Sequence, residues 1–213
     1  MKSLKALGVM LALFVLCYIP AFGVVRVLRL SMESAVPMII GVSLLMAVII
    51  LAVFLARDDW AARDFGLRLS GFSHILSGLL LGAILGTVVA FASRRIHAAG
   101  PIRLDAFSGW QIAILFWVAA PIQEELIFRG VLQSTVGRII GVGLPPRRSL
   151  GLAAIALVAV LFAVIHLPMG YATAALALLL GLTAGYIRAS SCSLLPAVLV
   201  HSLFNIAASI GSG

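Results

Sequence analysis

Residues 112–130 read IAILFWVAAPIQEELIFRG. The apolar run Ile112–Ala120 passes into Pro121, and directly behind it stand two adjacent carboxylates, Glu124 and Glu125, followed by Arg129. The whole chain holds only seven acidic residues. Glu33, Asp58, Asp59, Asp64 and Asp105 all lie in polar breaks between apolar runs, whereas Glu124 and Glu125 do not. An ionised carboxylate in hydrocarbon costs several kcal/mol, so such groups face a cavity or a partner and are functional by default. A plain helix–helix ion pair would account for one such carboxylate. It accounts less well for two side by side.

Composition sets the solvent. Of 213 residues, 63% are apolar and 10% charged, against roughly half and a quarter in a soluble domain. The chain is therefore expected to be an all-α, polytopic integral membrane bundle, folded as a single membrane domain over 1–213. The net charge of +8 would suggest nucleic acid in a soluble protein. Here the Lys and Arg residues lie almost wholly between apolar runs, as topology signals beside anionic headgroups do, so no nucleic-acid partner is expected. Cys17 and Cys192 have no paired spacing, which argues against a disulfide framework or a thiolate metal site.

About seven transmembrane helices follow from the apolar runs Ala6–Val25, Ala35–Ala56, Phe72–Ala92, Phe107 to about Gly141, Leu150–Leu167, Gly170–Ile187 and Leu194–Ile210. The first run is read as a retained helix rather than a cleaved signal peptide, because it is long enough to span and more spans follow. Residues 57–69 form an amphipathic connector expected at the membrane interface. Gly78, Gly82 and Gly86, four apart, share a helical face on which another backbone can pack closely. Pro121 removes a backbone hydrogen bond and should kink its helix one turn before the glutamates. Gly143 to Arg148 reads as a clear break. With the N-terminus in the cytoplasm, ten Lys and Arg fall on that side against five on the other. This favours N-in and C-out.

Four histidines are present, and His74 and His97 at the edges of apolar runs carry no signal. His166 ends one apolar run, and His201 lies inside another with Asn205 four residues on. Depth tests whether these groups can meet. With Arg138 and Ser149 marking where two helices leave the membrane, Glu124 lies roughly 21 Å in and His166 roughly 25 Å in. Counted from the Ser193 turn, His201 and Asn205 lie roughly 12 and 18 Å in, on the same side. Phe162 and His166, His201 and Asn205, and Glu125 and Arg129 are each i,i+4 pairs and share faces. Glu125–Arg129 is then the expected structural pair, which leaves Glu124 about 100° away around the helix as the chemical carboxylate.

A carboxylate and imidazoles in a low-dielectric cavity can act as a general base on water, and an imidazole and an amide on one face can donate to an oxyanion. The implied reaction is hydrolysis of a carbonyl compound, most plausibly a peptide bond. No Gly-x-Ser-x-Gly is present, so water is the expected nucleophile. The same atoms allow a metal reading, since two histidines and a glutamate form a known catalytic zinc set. No His-Glu-x-x-His helix occurs. A metal-free site is the expectation, with Zn2+ held by Glu124, His166 and His201 as the alternative.

Three motifs, Glu124-Glu125-Leu126-Ile127-Phe128-Arg129, Phe162-Ala163-Val164-Ile165-His166 and His201-Ser202-Leu203-Phe204-Asn205, occur in order on three predicted spans. In these, and in the Ala-Pro-Ile before the glutamates and the Gly after the arginine, the chain resembles the CPBP family of CAAX proteases and bacteriocin-processing enzymes, also called Abi. The resemblance covers roughly 107–210, the expected catalytic core. It implies an all-helical intramembrane endopeptidase of the type II CAAX prenyl endopeptidase kind, in a bacterial cytoplasmic membrane. Carried over, Glu124 and His166 would activate water, and His201 and Asn205 would form the oxyanion hole, with Glu125, Arg129 and Phe162 in support. The partners implied are the bilayer and a peptide or protein substrate, lipidated or membrane-bound. Two other readings compete. A non-catalytic scaffold or bacteriocin-immunity protein of the same fold would survive loss of Glu124. A proton channel or small transporter would call for repeat symmetry that the sequence lacks.

Overall fold

The structure, a computed structural model, describes residues 2–95, 104–141 and 148–211. His97, Arg103 and the break after Gly143 lie outside them. Seven long helices fill the described residues, and no strand occurs among them: α1 Lys2–Leu28, α2 Met32–Leu55, α3 Phe72–Arg95, α4 Gly109–Ile140, α5 Arg148–Ile165, α6 Tyr171–Ser191 and α7 Leu195–Gly211. α1, α2, α3, α4 and α6 are long and apolar enough to cross a membrane, while α5 and α7 are shorter apolar helices. The architecture is an all-α polytopic bundle. Its outer faces carry large apolar side chains, such as Ile19, Val53, Ile84 and Val160, exposed as a lipid solvent requires.

Because lipid supplies little drive for helix association, close approach has to come from small residues. The Gly78–Gly82–Gly86 face packs on α7: a Cβ on Gly78 would lie 2.8 Å from the Pro196 carbonyl oxygen, and one on Gly82 would lie 3.1 Å from the Val200 Cα. A second glycine pair governs α6. A Cβ on Gly181 would meet Ala159 at 3.0 Å, and one on Gly185 would meet Ile155 at 2.8 Å, so α5 and α6 lie nearly backbone to backbone.

α4 runs on through Pro121. Its backbone takes wide, π-type turns over Ile112–Ala119 and again over Leu126–Leu132. Such turns are frequent at functional sites and allow a helix to absorb a missing donor without ending. The helix stops at Gly141, whose φ of +89° suits glycine alone.

The 57–69 connector is mostly exposed. It forms only a short 3-10 turn, Ala62–Phe65, seated on the ends of α4, α6 and α7. Phe65 is fully buried. The Asp64 carbonyl accepts from Ser134 Oγ and Arg188 Nη2, each at 2.7 Å, and the Arg68 carbonyl accepts from Ser193 Oγ at 2.7 Å. Gly66, at φ +76°, allows the Leu194 amide to reach its carbonyl at 3.0 Å. The backbone polar groups of this segment are thus satisfied by helix ends. Periodicity gives no sign of such tertiary pairing.

Candidate active site

The two glutamates of α4 meet α7 at His201. His201 Nδ1 donates to Glu125 Oε1 at 2.8 Å, and its Nε2 lies 3.6 Å from Glu124 Oε2. The neighbours differ in solvent access. The Glu125 side chain is 0% exposed and that of Glu124 is 21% exposed. Glu125 Oε2 stands 3.2 Å from Arg129 Nε one turn along, so both its oxygens have cationic or imidazole partners. Arg129 is itself fully buried. Its Nη2 donates to the Gly181 carbonyl at 3.2 Å, and its guanidinium lies 4.8 Å over the Phe162 ring, a buried cation–π contact.

One further turn on, Gln133 Nε2 donates to the Gly185 carbonyl at 3.1 Å. Arg129 and Gln133 on α4 therefore step along Gly181 and Gly185 on α6 with the same four-residue spacing. The two glycines let helix carbonyls come within reach of α4 side chains. Arg129 is thus an internal residue and no topology signal. Removing it from the Lys and Arg tally still leaves the N-terminal side richer.

His166 follows the last turn of α5, half-buried, with its ring 4.6 Å from that of Phe162. Its Nδ1 lies 2.7 Å from the Phe162 carbonyl, which can only accept. Nδ1 is therefore the donor of this bond. The His201 ring stands edge-on to Phe162 at 5.9 Å. Phe162 thus touches Arg129 and both histidines and spaces them. Asn205, half-buried one turn beyond His201, donates through Nδ2 to the Phe116 carbonyl at 2.9 Å. Glu124, Glu125, Arg129, Phe162 and His201 form one contact cluster. His166 and Asn205 border it, and among the described residues the ion-pair contacts of Glu124 involve His201 alone.

No three His, Cys, Asp or Glu side chains among the described residues are grouped as a metal ion would need.

Sequence reasoning passed over several participants. Gln123 is buried and donates through Nε2 to the Tyr18 hydroxyl at 3.0 Å, which brings α1 against the glutamate turn. Tyr18 joins Phe14 and Phe128 in an aromatic cluster. Gln133 lies four residues after Arg129, and Gly181 and Gly185 are four apart. That polar and small-residue spacing was the available signal. Tyr18 had none, because its partner is 105 residues away.

The helical membrane bundle thus holds a buried carboxylate–histidine–guanidinium cluster beside a second, half-buried carboxylate. Residues 106–207, just under half of the chain, match the family described as Rce1-like, type II CAAX prenyl endopeptidase Rce1-like. The match takes in α4, α5, α6 and most of α7 and leaves α1–α3 outside. No curated protein and no solved structure matches the chain. The family is one of proteases. The chain is accordingly a protease-class hydrolase with a peptide or protein substrate, integral to a membrane.

Proposed function

We propose that the chain is an intramembrane endopeptidase in which Glu124, with His166, activates water, while His201 and Asn205 stabilise the oxyanion. One observation carries this reading: of two adjacent glutamates, one is locked by Arg129 and His201, and the other keeps access to solvent. A general base must be free to take a proton from water, so the role falls to Glu124. His166, with its proton committed to the Phe162 carbonyl, offers Nε2 as an acceptor that can orient the same water. His201 stands between two carboxylates. With protons on both nitrogens it neutralises the charge left by two glutamates and one arginine, and it can donate from Nε2 to the oxygen of a tetrahedral intermediate. Each such donor is worth about 3 kcal/mol of transition-state stabilisation. Glu124 would then return the proton to the leaving amine.

The site is proposed to work without a metal. The substrate is proposed to be a lipidated or membrane-bound peptide, with the N-terminus of the chain in the cytoplasm. The test is cleavage of a lipidated C-terminal peptide by the purified protein in lipid nanodiscs, with and without a chelator. Cleavage by the wild type that a chelator does not inhibit and that Glu124→Gln abolishes is the expected result. Cleavage retained in Glu124→Gln ends the assignment, and loss on chelation with recovery on zinc ends the metal-free reading.

A further inference from the structure

The wide turn before Pro121 has a chemical consequence two helices away. The Ala120 amide donates to the Leu115 carbonyl, five residues back. In an ordinary α-turn that amide would serve Phe116. The residue five beyond Phe116 is Pro121, which has no N–H. The Phe116 carbonyl is thus left without either usual main-chain donor, a costly condition in a membrane interior. Asn205 Nδ2 supplies the missing bond at 2.9 Å. Trp117 Nε1 donates to Ser209 Oγ at 2.9 Å, which holds the same stretch of α4 against α7 one turn further on.

We infer that Pro121 and the Phe116 carbonyl form a positioning device for Asn205. A carboxamide has a donor end and an acceptor end that exchange by a simple flip. A carbonyl partner admits only the donor end. One N–H of Asn205 is therefore spent on Phe116, and the second N–H of the same nitrogen is held at a fixed angle to it. Asn205 lies one turn from His201 on α7, so this second N–H is the one presented beside the imidazole. The break in the α4 hydrogen-bond ladder thus decides which end of the amide faces the site. What the second N–H does rests on the peptidase reading above, whereas the anchoring does not.

The experiment pairs stability with kinetics. Asn205→Leu keeps the branching at Cγ and strands the Phe116 carbonyl, so the melting temperature should fall by about 2–4 °C. In a Pro121→Ala background a main-chain N–H can return to that carbonyl, and the fall should be less than half as large. Equal falls in both backgrounds overturn the inference. Pro121→Ala alone, with Asn205 intact, should lower kcat about tenfold or more while KM stays within about twofold and the melting temperature does not drop. Wild-type kcat in that variant also overturns it. Should Pro121→Ala not fold, the amide itself decides. Asn205 is the chain's only asparagine, so nitrogen-labelled asparagine gives one side-chain signal pair. One protected, downfield proton is expected, and two rapidly exchanging protons overturn the anchoring. A wild-type protein that cuts nothing removes the peptidase reading and leaves the melting comparison to judge the device.

Discussion

α4 carries two layers that differ in how deeply their polar groups are buried. The deep layer, Glu125, Arg129 and Gln133, is buried, and its members reach His201, Gly181 and Gly185 across two helix interfaces. The open layer, Glu124 with His166 and Asn205 at its border, is half-buried, and among the described residues the carboxylate has one imidazole contact. Buried charged groups held across helix interfaces fix geometry, and a carboxylate open to solvent is available to a reactant. Two glutamates one residue apart should therefore fail in different ways when altered.

The sharpest way to break this contrast is Glu124→Gln. Losing a general base costs typically 10²–10⁴ in rate, and the melting temperature should stay within a degree or so because Glu124 braces nothing else. An assay of turnover alongside thermal unfolding checks both. Parallel loss of both would place Glu124 in the deep layer.

Arg129→Leu should do the reverse first. It leaves the Glu125 carboxylate buried without its cation, a change that costs about 3–5 kcal/mol where one partner of a buried pair is removed. Unfolding in detergent should shift markedly, with activity falling because the folded population falls. A variant as stable as the wild type would show that the pair is not buried as described.

Glycine positions sharpen the comparison at smaller scale. Alanine in a helix is favoured over glycine by about 1 kcal/mol. Gly41→Ala in α2, where nothing lies within 4 Å of the new Cβ, should be neutral or stabilising. Gly78→Ala places its Cβ 2.8 Å from the Pro196 carbonyl oxygen. There overpacking of about 1–3 kcal/mol should reverse the sign. Equal melting temperatures for the two variants would refute the close α3–α7 contact.

These layers were unequally legible in the sequence. The apolar runs predicted the helices to within a few residues at most ends, because a membrane interior requires each backbone to satisfy itself within its own segment. The cluster residues stood out because charge is rare in such runs. Spacing could not assign Asn205 to the Phe116 carbonyl, because that bond exists only once α4 widens before Pro121. A kink was expected from the proline, and the backbone takes wide turns on either side of it. The seat of residues 62–68 on the helix ends was hidden for a similar reason. Its donors, Ser134, Arg188 and Ser193, lie far along the chain and carry no periodic mark.

The smallest predicted effect asks which layer α1 serves. Tyr18 lies outside the matched segment 106–207, yet its hydroxyl accepts from Gln123, the residue next to Glu124. Tyr18→Phe keeps the ring in its cluster with Phe14 and Phe128 and removes only the oxygen, which leaves a buried amide N–H unpaired. That should cost about 1 kcal/mol, or about 2–4 °C in a chain of this size, with kcat close to that of the wild type. Such a result would assign α1 to the deep layer as a brace for the turn that holds the glutamates. If kcat instead fell tenfold at an unchanged melting temperature, the phenol would belong with Glu124 in the open layer, and the site would extend beyond the four helices of the family segment.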